Sequence, residues 1–309
     1  MLRVSVSLES IRPHGCGRTF KRVVGPQGDC VRIVCGGASD IGRLRSNNED
    51  CYRVVEAMHL FVVSDGMGGE AHGEVASALA VETVVTHCME GESNPATTLY
   101  GDPQPGLGEK TRRLASAVHL ANRRIFESAG QHPEQRGMGA TITTAWIDGG
   151  KLSIAHVGDS RAYLLRSGTL QQLTNDHSLV AEQVRRGILT AAEADQSEMQ
   201  SVLLRALGTH EQVEVEAGEN ALFPGDILLL CSDGLTRMVT EPEIAGTLQV
   251  ETSAQKAADK LIELANDNGG ADNVTVVVVR LQKDSGGWLS WLRPGRQHKA
   301  GKNGSAEGR

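Results

Sequence analysis

The chain has 309 residues, 39% of them hydrophobic and 22% charged, which suits a soluble globular protein with a sizeable core. Its net charge of −7 lacks the basic excess of a nucleic-acid binder, so nucleic acid is not an expected partner. The six cysteines form no CxxC pair, and Cys16, Cys30 and Cys35 with His14 fit no zinc ribbon or finger spacing. Sparse, unpaired cysteines read as reduced thiols and point to a cytoplasmic location. The first residues lack the apolar stretch of a signal peptide, and the longest apolar runs, "DILLLC" and "VTVVVV", fall far short of the ~20 residues of a membrane span.

In chain order, residues 1–29 read as an irregular extension, 30–281 as one periodic domain and 282–309 as a flexible basic tail. "HLFVVSD" (59–65) is a short apolar strand that ends abruptly. Residues 73–91 and 110–130 repeat apolar positions every three or four and read as helices, with a loop over 91–109 between them. Strands follow at 140–148, 151–159 and 161–168. The links between them are too short for helices, and the "DGG" link is a hairpin signal, so these strands are antiparallel neighbours. Residues 178–208 read as a small helical insertion, and 212–219 and 226–234 as strands. A helix with a single apolar stripe covers 253–268 and stops at "NGG", before a last strand over 273–281. Helices around antiparallel meanders predict an α+β sandwich of sheets with helical outer layers.

Aspartates sit where apolar strands end or begin: Asp65 in "VVSDG", Asp159 in "AHVGDSR", Asp233 in "LLCSDG" and Asp272 in "GGADNVTV". Glu49 and Asp50 form a fifth acidic group. Buried carboxylates repel one another unless they are paired, and few lysines or arginines lie near these in sequence. A single "SDG" reads as a turn or helix cap. Two copies after apolar strands, with "DN" before a third, instead point to a divalent cation of the magnesium or manganese kind. Asp65 can then bridge two ions. Gly66 lets its carbonyl approach one of them, and Gly68 and Gly69 permit tight dihedrals into the following helix.

Eight segments in order resemble the metal-dependent protein phosphatases of the 2C type, the PPM family, in their compact bacterial form. They are "RSNNED" (45–50), "SDGMGGEAHGEVAS" (64–77), "GATITTAWI" (139–147), "HVGDSRAYLLRSG" (156–168), "LTNDHSL" (173–179), "LLRALG" (203–208), "LLLCSDGL" (228–235) and "DNVTVVVV" (272–279). The resemblance implies an αββα sandwich with two Mn2+ or Mg2+ ions in a channel between its sheets. It implies that Asp65 bridges both ions, Gly66 binds one through its carbonyl, and Asp233 and Asp272 bind the other. Glu49 and Asp50 match acidic positions that ligate metal or hold its waters. Asp159 matches an aspartate at a third, weaker metal, and Arg45 matches the phosphate-binding arginine. The implied reaction is in-line attack on a phosphoserine or phosphothreonine by a water shared between the ions, with no phospho-enzyme. Met67 follows the "DG" where many eukaryotic relatives carry a histidine nearby, so the proton donor stays open; His156 and His177 each admit a catalytic or a structural reading. Ser160 and Arg161 read as turn and sheet contacts, Asn273 as the residue orienting the Asp272 loop, and 178–208 as the flap beside the site.

The tail carries Trp288 and Trp291 near Arg293 and Arg296, which read as folding back on the domain or as a docking remnant, ahead of contact with a membrane surface or a partner protein. Expected partners are phosphorylated proteins, a Ser/Thr kinase or its substrates, and the chain is expected to be a monomer. Competing readings are a phosphatase dedicated to one regulatory partner and an inactive phosphoprotein scaffold. The intact Asp65, Asp233 and Asp272 argue against the scaffold.

Overall fold

A computed structural model describes residues 23–24, 30–68, 72–101, 105–194 and 196–283. Apart from Val23–Val24, the extension read into 1–29 lies outside these residues. So do Gly69 and the tail beyond Lys283, with Trp288 and Trp291.

Two antiparallel sheets form from the described strands. The first runs β1 (Val23–Val24), β2 (Cys30–Asp40), β12 (Val274–Lys283), β11 (Ile227–Cys231), β8 (Arg161–Arg166) and β9 (Thr169–Gln172). The second runs β10 (Glu216–Ala221), β7 (Lys151–Val157), β6 (Ile142–Asp148), β4 (Leu60–Met67) and β3 (Asp50–Val55), with β5 (Gly139–Ala140) on the end of β4. Every described pairing is antiparallel. The period-two alternation of strand side chains builds the layers. Along β12, Val277, Val279 and Leu281 meet Leu228 and Leu230 of β11 and Phe61 and Val63 of β4 between the sheets. Their alternates Val274, Val276 and Val278 face outward against α7 (Ala254–Asp267). On the other side, α1 (His72–Ser93) and α2 (Glu109–Gln131) cover Leu60 and Val62 of β4. The result is the expected helix–sheet–sheet–helix stack. The predicted stripe of α7 is fully realised: Ala254, Ala257, Ala258, Leu261, Ile262 and Ala265 are all buried.

The hairpins form as the sequence signals. Gly149 and Gly150 take φ of 54° and 75° between β6 and β7, and Ser167 and Gly168 take 50° and 84° between β8 and β9. Two consecutive positive φ values match the twist of the flanking strands. The second turn ends the expected strand 161–168 at Arg166 and leads into an unforeseen β9.

Several elements differ from expectation. β2 was not foreseen because Gly36 and Gly37 interrupt it. A Cβ on Gly36 would overlap the backbone of Gln255, and one on Gly37 would lie 2.7 Å from the Tyr52 ring, so both mark close packing across the strand. β3 was anticipated only as acidic residues ahead of a strand. The strand expected at 212–219 starts at Glu216, where its partner β7 supplies His156 to pair with it. The strand expected to reach 234 stops at Cys231, and Asp233 opens a short helix, α5 (Asp233–Thr236). α6 (Glu241–Val250) was missed although Thr240 and Glu243 form a capping box ahead of it. The insertion holds two short helices, α3 (Leu179–Arg185) and α4 (Ala191–Ala194).

Leu230 sits fully buried between the sheets. Leu230→Ala should lower unfolding free energy by about 2–5 kcal/mol, measured by urea denaturation, because a cavity between two sheets cannot collapse easily.

Candidate active site

The ends of β4 and β11, the β7–β8 link and the starts of β3 and β12 meet at one edge of the sandwich. Asp50 and Asp65 are directly opposed register partners of β3 and β4. Thr141, in the break between β5 and β6, fixes Asp65 from both sides. Its hydroxyl accepts from Asp65 N at 2.9 Å, and its N–H donates to Asp65 O at 2.8 Å. The Thr141 hydroxyl also meets that of Ser160 at 2.7 Å. The Ser232 hydroxyl donates to Asp50 Oδ2 at 2.7 Å.

Gly66 and Gly73 let α1 press against the end of β4. A Cβ on Gly66 would overlap Gly73 O, and one on Gly73 would lie 2.7 Å from the Glu49 carboxyl carbon. Gly66 N donates to Glu49 O at 3.1 Å. Gly68 takes φ of 142°, a conformation that favours glycine. Asn273 organises the opposite wall. It receives Glu49 N at 2.8 Å, donates to the carbonyls of Ile41 and Asn47 at 2.9 and 2.8 Å, and its own N–H donates to Asp272 Oδ1 at 2.8 Å.

Contrary to the sparse basic residues in the local sequence, two arginines reach the carboxylates. Arg45 donates to Asp272 Oδ2 at 2.8 Å. Arg237, four residues after Asp233, lies 2.5 Å from Asp233 Oδ2 and 3.8 Å from Asp272 Oδ2. Asp159 is buried next to Arg161, but Arg161 is committed to Asp176 at 2.7–3.1 Å.

Burial dominates the electrostatics. Desolvation, reinforced by Asp50, Asp233, Asp159 and Asp272, holds the Asp65 pKa well above the usual carboxylate range. Burial pushes Asp50 up to about 7 against the hydrogen bonds of Thr275 and Ser232, and pushes Asp159 up to about 8. Asp233 and Glu49 are also raised by burial, each opposed by an arginine, Arg237 and Arg45 respectively.

Glu49, Asp65, Asp159, Asp233 and Asp272 line a cleft of about 390 Å3 together with Arg45, Gly66, Met67 and Arg237. Asp50 stands behind Asp65 on the neighbouring strand. A larger cavity of about 900 Å3 adjoins it under the insertion and shares Asp159, Asp233 and Arg237. Asp50 Oδ1 and Asp233 Oδ1 are buried with no partner. Oxygen-only donors with unsatisfied carboxylate atoms fit a hard divalent cation. As they stand, no three His, Cys, Asp or Glu side chains among the described residues already form a shell able to hold an ion. The carboxylates perturb one another, and two of them, Asp233 and Asp272, contact arginines.

His156 and His177 stand apart from this cleft, their rings 4.9 Å apart and both buried. His156 Nε2 meets the carbonyls of Gly158 and Asn175 at 3.0 and 3.2 Å. His177 Nδ1 accepts from Gly158 N, its Nε2 meets Glu216 at 3.2 Å, and its carbonyl accepts from Leu204 N at 2.7 Å. Both tie down the base of the insertion, which is the structural reading. Burial drives the Cys231 thiol up to about 12, so the "CSDG" cysteine is no thiolate nucleophile. Thr141, Ser232 and Arg237 were not singled out from sequence. Only Arg237 left a signal, its four-residue spacing from Asp233.

A family model described as protein phosphatase 2C matches residues 37–273. The chain belongs to the protein phosphatase 2C family. It is 40% identical over 240 residues to the serine/threonine protein phosphatase PstP of Mycobacterium tuberculosis, covering 78% of this chain but 43% of that protein. It is 39% identical over 244 residues to the serine/threonine phosphatase Stp of Listeria welshimeri, covering 78% of this chain and 93% of that one. The crystal structure of M. tuberculosis PstP superposes with a TM-score of 0.71 at 38% identity, covering 82% of this chain and 99% of that one. The PstP catalytic domain in complex with two manganese ions superposes with a TM-score of 0.68 at 36% identity, covering 82% and 99%.

Gly66→Ala should destabilise the fold by roughly 1–3 kcal/mol in urea unfolding, because its methyl meets backbone and not a flexible side chain. A pH dependence follows from the raised carboxylates. Folded Asp50 and Asp159 hold protons up to about 7 and 8, whereas the unfolded value is 3.8. Their stabilising contribution is complete below the unfolded value and is lost as pH rises through the folded ones. His156, lowered to about 4 from 6.5 by burial, works in the opposite direction but only below 6.5. Melting temperature in chelator should therefore fall between about pH 6.5 and 8, and Asp50→Asn should flatten that fall.

Proposed function

We propose that this chain hydrolyses phosphoserine and phosphothreonine in proteins, using a pair of Mn2+ or Mg2+ ions held at the strand-end carboxylates. The observation that carries this reading is the convergence of Glu49, Asp65, Asp159, Asp233 and Asp272 on one cleft, with Asp50 directly behind Asp65 and two buried carboxylate oxygens unpartnered, in a member of this family. Asp65 would touch both ions, Gly66 would offer its carbonyl to one, and Asp233 and Asp272 would hold the other. Glu49 and Asp50 would ligate an ion or hold its waters, and Asp159 suits a third, weaker site. When bound, such ions supply Lewis-acid charge and lower the pKa of water into the physiological range.

The chain's own residues do the rest. Thr141 fixes the backbone at Asp65, and Ser232 holds the Asp50 carboxylate behind it, so these two segments need little rearrangement. The cleft closes off one side of a phosphoryl group, and Arg45, half exposed at its mouth, brings a planar guanidinium to the phosphoryl oxygens. Exposed Leu44 beside Arg45, and exposed Val202 and Leu204 around cleft-lining Leu203, put apolar surface at both rims. That rim suits a polypeptide substrate better than a small phosphate ester. The partners would be phosphorylated proteins, among them a Ser/Thr kinase or its substrates.

We place the activity in the cytoplasm and on a monomer. Cys35, Cys51, Cys88 and Cys231 are free thiols, and among the described residues no helix is long and apolar enough to cross a membrane.

A phosphothreonine peptide and p-nitrophenyl phosphate test the reading, each with and without Mn2+. Turnover should require the ion, and Asp233→Asn should lower kcat on the order of 10²-fold or more. Arg45→Ala should reduce kcat/KM by about 10- to 100-fold, the range of a charge-assisted hydrogen bond. Metal-independent turnover would contradict the proposal.

A further inference from the structure

Asp233 and Asp272 come from different loops, yet one guanidinium lies against both. Arg237 Nη2 is 2.5 Å from Asp233 Oδ2, and its Nη1 is 3.8 Å from Asp272 Oδ2, where Arg45 also binds at 2.8 Å. The pairing is built into the helical turn, since the two residues are four apart on α5 and its C-terminal cap. It is also incomplete, because Asp233 Oδ1 stays buried without a partner. Arg45 reaches only Asp272, Arg161 is tied to Asp176, and among the described residues no lysine lines either cavity, which leaves Arg237 as the cation on Asp233.

We propose that Arg237 is a built-in counter-cation of the unloaded site: it holds Asp233 and Asp272 apart from a coordination shell and is displaced when divalent ions enter. The proposal rests on the reading of Asp233 and Asp272 as metal ligands. A carboxylate oxygen in direct contact with a guanidinium cannot also face a divalent cation without bringing two like charges together. An ion that takes Asp233 Oδ2 therefore requires Arg237 to move. It has room to do so, because Arg237 lines the 900 Å3 cavity as well as the smaller cleft, and Glu241 stands on the wall of that larger cavity. The device keeps the buried carboxylates compensated without metal and raises the ion concentration at which the site fills. It makes Arg237 a positioning residue, distinct from Arg45, which lies at the cleft mouth for the substrate.

Calorimetric titration of Mn2+ into the full chain, stripped with chelator, tests this in the wild type, Arg237→Gln and Arg237→Met. Either variant should bind Mn2+ about tenfold or more tightly, and should melt at a lower temperature than wild type in chelator. The gain should survive in about 1 M salt, where the screening length of about 3 Å removes any effect of charge at a distance but not of direct contact. Unchanged or weaker Mn2+ binding in the variants would overturn the proposal, as would a gain that disappears in high salt. Absence of Mn2+ binding in the wild type and both variants alike would instead overturn the metal-ligand reading beneath it.

Discussion

Like-charged carboxylates crowded at one edge of a sheet sandwich are the constraint on which this structure turns. Asp50 and Asp65 are opposed across a strand pair, and the charges of Asp50, Asp233, Asp159 and Asp272 all bear on Asp65. Burial and mutual repulsion raise the pKa of Asp50, Asp65 and Asp233. Such an arrangement is unfavourable for folding by itself and persists because the surrounding structure over-determines it. Thr141 and Asn273 hold the acidic segments through their backbone, and Ser232 holds the Asp50 carboxylate behind Asp65. Protons, two arginines and, on the proposed reading, divalent ions are alternative ways of balancing one excess of negative charge.

The rest of the fold serves to bring these ends together. Paired antiparallel sheets with an aliphatic interlayer place the ends of strands from both sheets within a few residues of one another. The outer helices anchor those strands, and glycines permit the closest approaches: Gly66 against Gly73 behind Asp65, and Gly234 against the backbone of Asn273 behind Asp233. The histidine pair under the insertion does parallel work at a distance, tying the 175–178 and 203–205 segments to the β7–β8 link without entering the cleft.

Much of this was legible in the sequence. Apolar strands that end in aspartate, hairpins marked by glycine and three strong helical stripes suffice for the layer order and for naming the acidic residues that the structure gathers. What was not legible depends on contacts between distant segments. β2 is disguised by glycines whose reason is the packing of Gln255 and Tyr52. The start of the strand near residue 216 is set by the length of its partner β7. Arg237 reaches Asp272 from thirty-five positions away, a pairing that local sequence does not contain. Thr141 and Ser232 matter only because of what lies opposite them. The histidines of "HVGD" and "NDHS" looked equally fit for catalysis or structure, and only their burial beneath the insertion decides between the two.

The central claim is that the strand-end carboxylates are a binding site for paired divalent ions. Crystals of the full chain soaked in Mn2+ and measured at the manganese absorption edge test it most directly. The account predicts two anomalous peaks in the cleft, both within bonding distance of Asp65, one of them also touching the Gly66 carbonyl and the other Asp233 and Asp272. Manganese bound elsewhere, or a cleft in which the arginines keep their carboxylates at saturating Mn2+, would contradict it.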